Sequence, residues 1–326
     1  MKKIVIIGGG TGTFTLLKGL REFPTENTVI VSTADDGGSG GQIRSELGVL
    51  PPGDFRQCLL GLSYTDESLK KVFAHRFIKG SLKGHTVGNI LLAAAELETG
   101  SAEIGIELIG RLLNVRGSVL PVTLKPTVLS AKLDNGKTLK GEHIIDEPQV
   151  KQSYKIESLS LSPSGPANPK ALKAISEADA IVFGPGDLFT SVIPSLLVKG
   201  VKEAIVKSPA QKIAITNIMT KFGQTEGYTA SEFLSQLHKY LGEGSSVTRV
   251  IVNTQEPDAE NLKLYKKEKA GFVVPDIDVL KSMGVEVLSA KLISREKFKK
   301  SKADTLKRSV LRHDSDKLAQ LIWKSL

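Results

Sequence analysis

Short unbroken apolar runs recur along the chain: Ile4–Ile7, Val29–Val31, Ala180–Phe183, Ile213–Ile215 and Val250–Val252. Each has strand length and gives way to small or polar residues. Continuous Val/Ile runs suit strands covered on both faces, as in parallel sheets. Between them, residues 13–22, 66–78, 86–98, 168–178 and 229–241 have helical character, clearest where apolar residues recur at helical spacing. Asn168-Pro169 is a helix start, with a capping side chain followed by proline in the first turn. Alternating strands and helices predict an α/β fold: a doubly wound, mostly parallel, Rossmann-like sheet. A single domain over residues 1–326 is expected.

Residues 118–161 break the pattern. Apolar and polar residues alternate there around Asp134-Asn135-Gly136, a hairpin signal. This predicts an antiparallel, β-rich insertion on the main sheet over about 118–161. The proline-rich stretch 162–169 leads back to α/β structure.

Composition adds limits. Of the 326 residues, 40% are hydrophobic and 24% charged, which is ordinary globular usage. Aromatics are only 5%, so the core must be largely aliphatic. No apolar run approaches the ~20 residues of a membrane helix. The apolar part of the N-terminal segment is four residues long, runs into Gly8, and reads as a first strand rather than a signal peptide. A single cysteine, Cys58, excludes an internal disulfide framework, and a cytoplasmic location is the default expectation. The net charge of +9 is uneven. The basic C-terminal segment 291–326 carries eleven Lys/Arg against four Asp/Glu, which leaves the rest nearly neutral. Phe298 and Trp323 are its only aromatics, which argues against a base-stacking nucleic-acid surface.

The candidate chemistry lies just after the strands, where open α/β sheets place their ligands. Gly8-Gly9-Gly10-Thr11-Gly12-Thr13 follows the first strand and opens a helix. Glycines let backbone approach a phosphate, and a helix start offers free N–H groups. It is not the dinucleotide fingerprint, because Thr13 stands where G-x-G-x-x-G needs glycine. After the second strand comes Asp35-Asp36-Gly37-Gly38-Ser39-Gly40-Gly41. Neighbours in extended chain point to opposite sides. One acid is therefore expected to face a ligand and the other to hold the loop, with Asp36 the outward one. The glycines are expected to leave room at the mouth of the sheet. Asp54, in Pro51-Pro52-Gly53-Asp54, can be explained by helix capping, or as an oxygen ligand for hydrated Mg²⁺ shared with Asp36. Arg56 can meet a phosphate. His85 and Asn89 are four apart, with Gly88 clearing space between them. Gly184, Gly186 and Ser191 form a second glycine turn, and Asn217 ends another strand. Together these features predict a large anionic or nucleotide ligand.

The ordered set GGGTG (8–12), ADDGGSGG (34–41), PPGD-x-R (51–56), GHTVGN (84–89), FGPGDLFTS (183–191), TNIMT (216–220) and VLRHD (310–314) resembles the YvcK/CofD superfamily, in its YvcK (gluconeogenesis factor) branch. The resemblance spans nearly the whole chain. It implies a cytoplasmic regulatory factor that binds nucleotide-sugars such as UDP-N-acetylglucosamine, and also NAD, and affects gluconeogenic growth and cell shape. The alternative it implies is a CofD-like, Mg²⁺-dependent transferase of the 2-phospho-L-lactate type. Such an enzyme moves a phospholactyl-type group from a GDP-like donor to a deazaflavin-like acceptor, so the resemblance leaves enzyme or non-enzyme open. It puts the metal-site acid on Asp54 and nucleotide contacts on Gly9–Thr13, Asn89, Gly186 and Asn217. Asp187 departs from the family's frequent serine and puts a negative charge beside a presumed phosphate loop. A homo-oligomer is compatible with all of this. A dehydrogenase is the weaker reading, since the fingerprint breaks at Thr13.

Overall fold

The computed structural model describes residues 1–148, 154–242, 247–296 and 309–326. Ten strands are present among them: β1 (Lys2–Ile7), β2 (Thr25–Val31), β3 (Ser118–Pro121), β4 (Val128–Leu133), β5 (Thr138–Lys140), β6 (Ile156–Ser162), β7 (Ala180–Phe183), β8 (Gln211–Ile215), β9 (Val247–Asn253) and β10 (Glu286–Ala290). Seven make one sheet in the order β10-β9-β8-β7-β1-β2-β3, with every neighbouring pair parallel. The chain builds outward in one direction from β1 to β3, then returns to the other side of β1 with β7. Strand order therefore reverses between β1 and β7, the place where doubly wound sheets open a crevice.

The apolar runs are continuous because both faces of this sheet are covered. Successive side chains of a strand point to opposite faces. Val5, Ile7, Ile181 and Phe183 join one core, while Ile4, Ile6, Ala180 and Val182 join the other. The first core takes in the helices Pro169–Glu177, Val201–Lys207 and Ala230–Leu241. The second takes in Gly10–Leu20, Pro52–Leu62 and Val87–Thr99. It also receives Leu318, Ala319 and Ile322 of the helix Ser315–Lys324. The end of the basic segment is thus folded into the body rather than a detached tail. Residues 297–308, Phe298 included, lie outside the described residues.

The hairpin at Asp134-Asn135-Gly136 joins β4 to β5, with Gly136 at φ +80° as the turn requires. The antiparallel part has three strands, in the order β5-β4-β6. Leu129, Ala131 and Leu133 alternate inward from β4 to the first core. Its lower boundary is later than 118, because Ser118–Pro121 pairs in parallel with β2 as the edge of the main sheet. A four-residue strand flanked by Gly117 and ending in proline carries little hydrophobic signal, and an edge position tolerates the proline.

The stretch after β2 also differs from the expected open loop. Residues Gly38–Leu47 form a helix that contains three of the glycines. Gly41 N donates to Gly37 O at 2.9 Å, and a side-chain carbon on Gly41 would overlap the Asp36 backbone. The glycine there serves a chain folded tightly onto itself, not an open space. Among the described residues no helix is long and apolar enough to cross a membrane.

Gly19 marks the closest approach of the helices Gly10–Leu20 and Ser315–Lys324. A side-chain carbon there would overlap the Ser315 carbonyl and sit 2.9 Å from the Ala319 Cβ. Alanine is better than glycine in a helix by about 1 kcal/mol, but overpacking against backbone costs about 1–3 kcal/mol. Gly19→Ala is therefore expected to destabilise the protein, by up to about 2 kcal/mol in urea unfolding. A gain in stability would show that the helices are not locked at this crossing.

Candidate functional site

A cleft of about 300 Å³ opens at the carboxyl ends of β1, β7 and β8. Its floor is the loop after β1 and the loop after β7, pressed together. Gly12 has no room for a side chain, since a Cβ would fall 2.6 Å from the Pro185 carbonyl oxygen. Thr13 is buried and its hydroxyl donates to the same oxygen at 3.2 Å. The residue that breaks the dinucleotide fingerprint thus fastens one glycine loop to the other.

Asp54 closes the first loop from the side. It sits in the first turn of the helix Pro52–Leu62, whose N-cap is Pro51 with no capping side chain. Capping therefore does not account for Asp54. Its carboxylate lies where a Gly9 side chain would be, and a Cβ on Gly10 would stand 3.5 Å from Oδ1. A carboxylate thus sits beside the N-terminus of the helix Gly10–Leu20, where the helix dipole favours negative charge.

Of the two adjacent acids, Asp35 lines the cleft and Asp36 does not. Asp36 Oδ1 instead accepts from His143 N at 2.8 Å and so holds the segment Glu142–Asp146. The acid on the cleft is therefore Asp35 rather than Asp36, and Asp35 also holds its own loop, its Oδ1 accepting from Gly37 N at 2.9 Å. Gly9, Gly10, Thr11, Gly12, Gly186, Ser191 and Asn217 line the cleft with Asp35 and Asp54. Gly184 stands behind them at φ +81°. Gly38 starts its helix off the cleft wall.

Ser39, Arg56, His85 and Asn89 form a separate polar network. Arg56 Nε donates to Asn89 Oδ1 at 2.8 Å, Asn89 Nδ2 donates to Ser39 Oγ at 3.3 Å, and Ser39 Oγ is 3.0 Å from His85 Nδ1. Arg56, His85 and Asn89 are buried, and none of the four lines the cleft. Gly88 is small because a side chain would overlap Phe73 and the Arg56 stem, not to clear space for a ligand. The network ties the helix Gly38–Leu47 to Pro52–Leu62 and Val87–Thr99.

The insertion supplies a wall that the sequence did not single out. Glu142, His143 and Asp146 line the cleft, opposite Asp187 and Lys221. Lys221 Nζ donates to Asp146 Oδ1 at 2.5 Å and to Asp187 Oδ2 at 2.7 Å. Thr190 Oγ1 and Gln224 Nε2 also donate to Asp146 Oδ1, at 3.0 and 3.1 Å. The charge that Asp187 brings to its loop is thus compensated by Lys221. Burial alone would lower the Lys221 pKa, but the two carboxylates together outweigh it and hold the ammonium charged. Burial also opposes ionised Asp146, yet Lys221, Thr190 and Gln224 hold its carboxyl below the usual range. Burial dominates at Asp187 and raises it. Glu142 is pushed well above the usual range by burial, then by Asp35 and Asp146.

Arg312 and His313 bring the C-terminal signature to the same cleft. His313 is 7% exposed, one ring nitrogen engages the Thr216 backbone, and Nε2 has no hydrogen-bond partner. Burial lowers its pKa to about 4. Seven carboxylates line the cleft among the described residues (Asp35, Asp54, Glu142, Asp146, Glu147, Asp187 and Glu268) against Lys221 and Arg312. No three His, Cys, Asp or Glu among the described residues converge as a metal cluster. Asp36 and Asp54 are not brought together on the cleft.

A doubly wound sheet with a polar cleft at its strand-order reversal defines a Rossmann-like α/β protein. A family profile described as 2-phospho-L-lactate transferase CofD matches residues 4–293. The gluconeogenesis factor of Bacillus subtilis is 40% identical over 321 residues, 98% of this chain and 96% of that protein. That of Halalkalibacterium halodurans is 41% identical over 325 residues, 98% and 95% of the two chains. A crystal structure of a Bacillus halodurans protein superposes with a TM-score of 0.90 at 40% identity, covering 99% of both chains. The chain belongs to the CofD family and, within it, to the gluconeogenesis factor (YvcK) branch.

His313 has a consequence for pH. In the unfolded chain its imidazole protonates near the ordinary 6.5, but in the fold only near 4. Between these values the unfolded state binds more protons, so stability falls as pH falls through that window. About two and a half pKa units correspond to roughly 3 kcal/mol. In urea titrations from pH 7 to pH 4, His313→Gln is expected to flatten the loss by about that amount. An unchanged slope would show that His313 titrates normally.

Proposed function

We propose that this protein is a regulatory factor of the gluconeogenesis type that binds a nucleotide-sugar, of which UDP-N-acetylglucosamine is the representative, in the cleft between the loops after β1 and β7. The observation that carries the reading is the pairing of two glycine loops at the strand-order reversal, backed by Thr11, Ser191 and Asn217 on one cleft. Glycine backbone admits close approach of a diphosphate, and hydroxyl and amide groups supply donors around it. The names of the 40%-identical relatives support a role in gluconeogenic growth, with cell shape as a further expectation of the same reading.

The acid-rich lining sets a condition. A diphosphate entering beside Asp35 and Asp54 meets like charge and needs a counterion. Mg²⁺ suits this, because it binds through one or two carboxylates together with ligand phosphates. Asp54, with Asp35 rather than Asp36 as its companion, would hold it, and the ion would offset charge on the diphosphate.

A CofD-type transferase is the second reading, favoured by the family match over residues 4–293 and by the place of Asp54 against the first glycine loop. The same cleft would then position a nucleoside-diphosphate-linked donor for attack by an acceptor.

In a thermal-shift titration, UDP-N-acetylglucosamine with Mg²⁺ is expected to raise the melting temperature. At a hundred times its dissociation constant the ligand adds about 2.7 kcal/mol. The shift is expected to shrink without Mg²⁺ and with Asp54→Asn. No shift at millimolar ligand in either condition contradicts the binding reading. Release of nucleoside monophosphate with a deazaflavin acceptor, lost in Asp54→Asn, replaces it with the transferase.

A further inference from the structure

The stretch between the helices Glu67–Ala74 and Val87–Thr99 takes no part in the cleft. It folds back on itself as a short hairpin. Arg76 and Thr86 form an antiparallel bridge, and Phe77 N donates to His85 O and Gly84 N to Phe77 O, both at 2.9 Å. At the tip Lys83 N donates to Gly80 O at 3.1 Å, with Gly80 at φ +73°. A side-chain carbon on Gly80 or Gly84 would meet no atom within 4 Å, so the tip stands clear of the body. Its base is rooted. His85 belongs to the buried network with Ser39, Asn89 and Arg56. Phe73 is buried and fills the space that a Gly88 side chain would need.

The hairpin presents apolar and basic groups together. Ile78 and Leu82 at the tip are 59% and 44% exposed, and Val72 at its root is 55% exposed. Lys71, Lys79 and Lys83 are exposed among them. Residues 68–95 hold five Lys or Arg and no Asp or Glu, which leaves the segment without a charge of opposite sign. The acids just before it, Asp66 and Glu67, are taken up by Leu69 N and by Lys70 Nζ. A single exposed leucine is ordinary. Aliphatic side chains on a projecting tip, interleaved with lysine and free of acids, have the amphipathic composition of a bilayer interface. Area and charge both argue against a protein partner. Three side chains at a narrow tip fall short of the roughly 800 Å² that a stable complex buries on each partner, and the cores of protein interfaces are depleted in lysine. At a bilayer lysine is favoured, because its stem lies along the apolar layer while its ammonium meets lipid phosphate.

We propose that residues 71–84 form a docking element for an anionic phospholipid surface, with Ile78 and Leu82 entering the boundary between head groups and acyl chains and Lys71, Lys79 and Lys83 contacting lipid phosphates. Among the described residues no helix is long and apolar enough to cross a membrane, so the contact is with one face of the bilayer. The inference stands apart from the nucleotide reading, since none of these residues lines the cleft.

Co-sedimentation of the full chain with phosphatidylcholine vesicles, with and without phosphatidylglycerol, tests this. The wild-type protein is expected to partition at least about tenfold more strongly onto the anionic vesicles. Raising salt from about 0.1 M to about 1 M is expected to release it, as the screening length shrinks from about 10 Å to about 3 Å. Lys79→Glu with Lys83→Glu, and separately Ile78→Ser with Leu82→Ser, are each expected to weaken partition by at least about tenfold. Circular dichroism checks that both fold, and neither is expected to change the thermal shift with nucleotide-sugar. Tryptophan fluorescence of Ile78→Trp is expected to move to shorter wavelength on anionic vesicles, beyond any change in the wild type. Equal partition onto both vesicle types, or none onto either, overturns the inference. So does a lysine variant that binds like the wild type, which would put the contact elsewhere on the chain. Loss in the lysine variant with none in the aliphatic one also overturns it, because adsorption by charge alone inserts nothing.

Discussion

The site depends on one contact: the backbone at Gly12 lies against the Pro185 carbonyl, with the Thr13 hydroxyl donating to the same oxygen. This joins the loops that leave β1 and β7, the strands between which the sheet reverses its order. Because Gly12 has no side chain, the loops meet without a gap, and the cleft above them has a floor of backbone rather than of mobile side chains. Asp54 then leans on Gly9 from a third element. The glycines of this loop are thus set first by what they pack against. Their accessibility to a ligand follows from the same tightness.

One wall above that floor is carried by the insertion. Asp36 does not face the cleft but holds His143 N, which fixes the segment bearing Glu142 and Asp146. Asp146 then reaches Lys221 beyond β8 and Thr190 beyond β7. A chain of polar contacts thus runs from the end of β2, through the insertion, to the ends of β7 and β8. It lines part of the cleft with Asp146, Thr190 and Lys221. The cleft's acidity sets the electrostatics that any occupant meets.

Much of the fold was legible in the sequence because both faces of the parallel sheet are buried. Ala180–Phe183 matches its strand, and the other four apolar runs lie inside theirs. The strands missed, Ser118–Pro121 and Glu286–Ala290, are sheet edges, where burial is partial and the apolar pattern correspondingly thin. The glycine motifs identified the strand ends but not the reason for each glycine. Gly41 and Gly88 are small to fit Asp36 and the Arg56–Phe73 pair, not to admit a ligand. Nor could adjacency decide between Asp35 and Asp36, since the partner that settles it, His143, lies 107 residues away. Asp146, Lys221 and His313 carry no local motif strong enough to link them, and only the folded chain brings them to one cleft. The departure at Asp187 was visible in the sequence, and its Lys221 partner was not.

The central claim is that the ligand lies at the β1–β7 reversal, under the insertion. Amide hydrogen exchange, followed by mass spectrometry with and without UDP-N-acetylglucosamine and Mg²⁺, tests it most directly. The account expects ligand protection in peptides covering Gly8–Thr13, Glu142–Asp146, Gly184–Ser191 and Asn217–Lys221, and none in the helix Val87–Thr99. Protection centred on His85–Asn89 with the glycine loops unchanged would contradict it.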